Sequence, residues 1–339
     1  METHETQRQL PFSARLTGEG VAREIWVYLA LTFLLSWALW LPAIRYPGNP
    51  VFLNLGGGPA IIAILMVASG KRQAGTSRLR RFLLLVPLLW LILVFATSWT
   101  TGVRWPLDWR PWLLLPSLIP AWIISSAWSC DPDVRSLMRT FVRPGNWQWP
   151  TVAFFAFPVL LLGSAAVARS LHLPVVEPAR GMSATAVAAL CVVRFIHNTI
   201  FTAVYEEPGW RGFLLPQLQR RFSPLVASIF VWLPWAMWHA PLDFSGGIGR
   251  NLTLWVQVRL IYFIPITILL TWLYNRSEGL LSPIVFHAAM NVFPFLLPYS
   301  PPMMSLIFLW AGYVVVSNRM WRRTESTPRE SIVAPGKPL

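Results

Sequence analysis

Residues 25–44 read Ile-Trp-Val-Tyr-Leu-Ala-Leu-Thr-Phe-Leu-Leu-Ser-Trp-Ala-Leu-Trp-Leu-Pro-Ala-Ile, with no charged residue. About 20 apolar residues in helical form cross the ~30 Å hydrocarbon core of a bilayer. The run is continuous rather than alternating, which points to a helix and against a barrel strand. Nine more such runs follow, at 51–69, 82–99, 112–128, 149–168, 184–205, 224–242, 252–274, 280–297 and 303–317. The composition agrees. Of 339 residues, 55% are hydrophobic and 12% charged, with 20 Trp and 20 Phe; an ordinary soluble domain carries about 25% charge. A soluble fold of this size cannot hide so much apolar surface, and disorder is excluded for the same reason. The expected fold class is all-α: a polytopic transmembrane bundle of about eight to ten spans with a polar cavity inside the membrane.

The net charge is +14. In a soluble protein this would suggest nucleic acid, but here the basic residues lie in short loops between apolar runs, where they set topology. With the amino terminus placed inside, the inner segments hold twenty Lys and Arg and the outer loops six. The expectation is a multi-pass protein of the cell membrane with both termini cytoplasmic and no nucleic-acid partner. Residues 1–24 are polar with four Glu, so they read as a cytoplasmic segment rather than a secretory leader. Then come amino-terminal spans at 25–183, a polar-lined core at 184–300, and a last span with a basic tail at 301–339. Gly56-Gly57-Gly58-Pro59 lacks the Lys-Ser/Thr of a phosphate loop and fits tight helix packing. The two cysteines, Cys130 and Cys191, make no disulfide framework. The sequence does not set the oligomeric state.

Polar and ionisable residues inside apolar spans are costly and mark function. They are nearly absent from the front spans and gather in the last third: Arg194, His197, Glu206, Glu207, Arg211, His239, Arg259, His287 and Asn291. In Tyr205-Glu206-Glu207-Pro208-Gly209-Trp210-Arg211 the two acids are neighbours, about 100° apart on a helix, so they are expected to face different partners. Glu207 and Arg211 have the i,i+4 order that favours an ion pair. Glu206 has no local cation, and a desolvated carboxylate is a good proton acceptor near neutral pH. The competing reading is a pair of acids at a solvated helix end. His239 lies among Trp235, Trp238 and Pro241, where a lone histidine is more often a hydrogen-bonded packing residue than a catalyst. His287 and Asn291 share one helix face and could hold an oxyanion, or simply bond between helices. If the helix of Glu206 continues to Arg220, Glu206 lies ~21 Å from that end, and His239 lies ~27 Å from Arg221. From Arg276, His287 is ~16 Å in and Asn291 ~22 Å. All four then share one slab, unless Pro208, Gly209 or Pro216 breaks the helix.

Glu-Glu-x-x-x-Arg at 206–211, aromatic-x-x-x-His at 235–239 and His-x-x-x-Asn at 287–291 resemble the CAAX-processing and bacteriocin-processing (Abi) family of intramembrane endopeptidases. The resemblance covers roughly 184–300. It implies that Glu206 activates water, that His239 orients it, and that His287 and Asn291 stabilise the oxyanion. Glu207 and Arg211 would support them. It also implies a peptide or membrane-protein substrate, no cofactor, and a cavity open to the cytoplasm. Trp235 stands where the family usually has Phe and is expected to be a packing residue. Two alternatives stay open. Zinc could be held by Glu206, His239 and His287, although no His-Glu-x-x-His pair is present. A transporter or channel could use the same polar residues as a path.

Overall fold

A computed structural model describes residues 18–45, 55–69, 86, 89–90, 114–127, 132–138, 147–300 and 303–323. Its elements are helical: α1 Gly18–Arg45, α2 Gly58–Ser69, α3 Leu114–Ser126, α4 Pro132–Met138, α5 Gln148–Ser170, α6 Ala184–Gln219, α7 Pro224–Gly246, α8 Leu252–Ser277, α9 Leu281–Val292 and α10 Met303–Ser317. Among the described residues the only extended pairing is an isolated bridge between Val176 and Tyr299. The fold is thus the all-α polytopic bundle. Five helices (α1, α5, α6, α7 and α8) are long and apolar enough to cross a membrane, and shorter apolar helices stand among them. The expected span at 82–99 lies, but for residues 86, 89 and 90, outside the described residues.

Prolines set the local shape of the rear helices. The expected span at 184–205 does not end there: α6 runs on to Gln219. It does so through two wide π turns, Thr199–Ala203 and Pro208–Leu214, each ahead of a proline, Pro208 and Pro216. A third, Val256–Tyr262 in α8, precedes Pro265. Proline lacks the N–H and crowds the carbonyl four residues back; a locally wider turn absorbs both without breaking the helix. In α7 the ladder is interrupted at His239, two residues before Pro241. The Trp238 carbonyl freed there accepts the Trp37 indole N–H at 3.1 Å. An orphan backbone acceptor in an apolar bundle would otherwise be costly.

Small residues let α1, α2 and α6 approach closely. A Cβ on Gly209 would collide with the Tyr28 hydroxyl and the Pro59 carbonyl, and one on Gly58 would strike the Ser36 hydroxyl. Tyr28 donates to the Pro59 carbonyl at 3.4 Å and packs on Trp210 and Phe213, with ring centroids 6.0 and 4.9 Å away. On the other side, Phe157 of α5 meets Phe286 of α9 at 5.2 Å, and Trp272 of α8 meets Trp310 of α10 at 6.1 Å. The basic loops converge on one end of the bundle. Arg276 donates to Asn318 at 2.6 Å, and Arg323 donates to the Arg220 carbonyl at 2.7 Å. That convergence is what a shared aqueous face requires of segments the charge count places on one side.

Candidate active site

Glu206 lies between the two wide turns of α6, inside the bundle rather than at a solvated helix end, and is only 3% exposed. Trp235 of α7 donates its indole N–H to Glu206 Oε2 at 2.6 Å. This corrects the expectation that Trp235 is only a packing residue. It also packs: its ring stacks on Phe263 at 4.4 Å and lies under the Arg211 guanidinium at 4.3 Å. The signal for its polar role was the indole N–H itself, which a Phe at this position would lack.

Glu207 Oε1 accepts from Arg211 Nη1 at 2.9 Å, with both side chains wholly buried. The i,i+4 ion pair is therefore present. Glu207 Oε1 also accepts from His287 Nδ1 at 2.7 Å, while His287 Nε2 lies 4.0 Å from Glu206 Oε1. The two acids thus do share a partner, contrary to the sequence argument. That argument treated a partner as one point, whereas an imidazole carries two nitrogens and can address diverging carboxylates.

His239 donates its Nδ1–H to the Trp235 carbonyl at 2.8 Å. Among the described residues Nε2 has no partner, so this bond sets the ring's orientation and tautomer. Trp238 meets the ring edge-on at 4.8 Å, and Phe263 meets it edge-on at 5.6 Å. Asn291 donates to the Asn198 Oδ1 of α6 at 3.3 Å, and Asn198 donates to the Thr202 hydroxyl at 3.4 Å. Asn198 was missed because nothing in its spacing links it to Asn291. His197 stacks on Phe201 at 4.8 Å. Arg194 is exposed on the outer side of α6.

A cavity of about 280 Å³ brings Glu206, His239, His287 and Asn291 together. Glu207 and Arg211 do not line it; they stand behind His287 and Trp235. Arg259 of α8, marked in the sequence as a polar residue within a span, also lines the cavity. So do Trp40 and Gly56, which means that the front of the chain closes one wall of a site whose motifs all lie in the rear. Among the described residues no three His, Cys, Asp or Glu side chains form a group placed to hold a metal ion. Along their helices, Asn291 lies ~15 Å past Leu281, His239 ~23 Å past Pro224 and Arg259 ~26 Å from Arg276. The cavity therefore sits toward the end of the bundle away from Arg220 and Arg276. Cytoplasmic termini and a cavity open to the cytoplasm pull against each other.

Residues 187–293 match the family described as type II CAAX prenyl endopeptidase Rce1-like. This segment is similar to the CAAX prenyl endopeptidases. All of Glu206, Glu207, Arg211, His239, Asp243, Arg259, His287 and Asn291 fall inside the matched segment. The chain is also similar to CAAX prenyl protease 2 of Methanococcus maripaludis, 34% identical over 100 residues, which covers 27% of this chain and 36% of that protein. The alignment thus spans about a third of that curated relative. The CAAX endopeptidase match begins after Trp40 and Gly56, so this part of the cavity wall comes from outside the matched segment.

Proposed function

We propose that the protein is a CAAX-type intramembrane endopeptidase, hydrolysing a peptide bond near the end of a membrane-associated protein or peptide. The observation that carries this is the convergence of Glu206, His239, His287 and Asn291 on one cavity within the matched segment. Water is a poor nucleophile. Glu206, with Oε2 held by Trp235, takes a proton from a cavity water, and His239 Nε2 orients that water toward the substrate carbonyl. The carbon–oxygen bond forms and negative charge develops on the carbonyl oxygen. Asn291, whose amide has a second N–H beyond the one given to Asn198, donates to it, together with the Nε2–H of His287, whose ring carries a proton on both nitrogens in this step while Glu207 holds Nδ1–H. The peptide C–N bond then breaks as Glu206 passes its proton to the leaving amine. Glu207 and Arg211 hold His287 and Trp235 in place.

The test is purified protein in detergent with an S-farnesylated peptide ending in cysteine, two aliphatic residues and one variable residue. Cleavage at the cysteine should fall by at least ~10²-fold in Glu206→Ala and in His239→Ala. Cleavage that survives both substitutions, or solute flux in liposomes without cleavage, overturns the proposal. A chelator should leave the rate unchanged; loss that added zinc restores would move the mechanism to a metal held by Glu206, His239 and His287.

A further inference from the structure

We propose that Arg259 binds the free C-terminal carboxylate of the peptide and so makes the site selective for chain ends. The inference rests on the endopeptidase reading above.

Arg259 is the cation that lines the cavity while Arg211 stays behind it. Its guanidinium is immobilised from several sides. Nε donates to Asp243 Oδ2 at 2.7 Å and Nη2 to Asp243 Oδ1 at 2.9 Å. Trp255 donates to the same Asp243 Oδ2 at 3.0 Å, which fixes the carboxylate. The Phe263 ring lies 4.8 Å from the guanidinium carbon. Trp232 donates to the Arg259 carbonyl at 3.2 Å and steadies the backbone. Yet the group is not used up. A guanidinium has five N–H donors, and Asp243 engages only Nε and Nη2; among the described residues Nη1 has no partner. A planar cation, held rigid and still offering a donor edge, is suited to a carboxylate.

The size of the space points the same way. A volume of about 280 Å³ is slightly below the usual range for ligand pockets. It takes a short stretch of peptide, which is what a chain end a few residues from the cut requires. A terminal carboxylate carried into such a space is costly unless it meets a cation. Asp243 keeps Arg259 from being an unpaired, partly buried charge when no carboxylate is bound.

A purely structural Asp243–Arg259 clamp between α7 and α8 would be indifferent to the substrate's terminal group. The experiment therefore compares the farnesylated peptide as its C-terminal acid and as its amide, by kcat/KM and by fluorescence anisotropy. The wild-type protein should prefer the acid by about 10- to 100-fold in both measurements, as expected for one charge-assisted contact. Arg259→Gln combined with Asp243→Asn removes both charges and should treat acid and amide alike. Arg259→Lys retains the pairing with Asp243, loses the planar edge and should narrow the preference; it also guards against misfolding of the double variant. Equal handling of acid and amide by the wild type overturns the proposal, as does a double variant that keeps the preference while slowing both. If the wild type binds the acid selectively but cleaves neither peptide, the anchoring role stands and the endopeptidase reading fails.

Discussion

Removing Arg211 alone, as Arg211→Met, leaves Glu207 as a wholly buried carboxylate whose remaining partner is His287. Breaking a buried pair by deleting one member costs about 3–5 kcal/mol, because the survivor's charge is uncompensated. At about 2 °C per kcal/mol, suited to a large chain, the melting temperature in detergent falls by about 6–10 °C. Glu207→Gln alone strands Arg211 in the same way, and also weakens the acceptor of the His287 Nδ1–H. The double variant Glu207→Gln/Arg211→Met removes both charges, so it should be less destabilised than the two single costs summed, with a coupling of at least 1 kcal/mol. Thermal unfolding of the four proteins, followed by intrinsic tryptophan fluorescence, measures the cycle. The same four proteins separate support from chemistry. If Glu207 and Arg211 only hold Trp235 and His287, the double variant keeps measurable cleavage while Glu206→Ala does not. Additive destabilisation would refute the ion-pair argument. A double variant that is folded and as inactive as Glu206→Ala would make Glu207 or Arg211 part of the chemistry.

Gly209→Ala should destabilise the bundle by about 1–3 kcal/mol, since the added Cβ meets the Tyr28 hydroxyl and the Pro59 backbone; a variant as heat-stable as wild type would show that α1 and α2 do not pack on α6 as described. Asn291→Ala should lower kcat by about 10²–10³-fold with little change in KM, the pattern of a donor that acts on developing charge; a change confined to KM would assign Asn291 to binding. A reporter fused after Arg323 and one inserted at Gly247 should register opposite sides of the membrane, with the Arg323 side cytoplasmic. A cytoplasmic Gly247 would reverse the orientation inferred from charge and turn the cavity end of the bundle toward the cytoplasm.

The length of each apolar run was enough to find the long helices among the described residues, because lipid demands about 20 apolar residues per crossing whatever the tertiary arrangement. Their ends were less legible. The run at 184–205 stops where polar residues begin, yet α6 continues to Gln219 because those residues face the bundle interior. Hydropathy reads composition and cannot distinguish a polar residue inside the bundle from one in water.

Glu206, His239, His287 and Asn291 could be named from the sequence because membrane-embedded polar groups are expensive, so few are present and each stands out. Their spacing along separate helices also placed them at a common depth. Depth is one coordinate. The angle of each helix about its axis, and the neighbour that fills the gap, come from packing between segments distant in the chain. Only the tertiary structure could therefore decide that Trp235 donates to Glu206, that His287 reaches both glutamates, that Asn198 pairs with Asn291 across 93 positions, and that Trp40 closes a wall of the cavity.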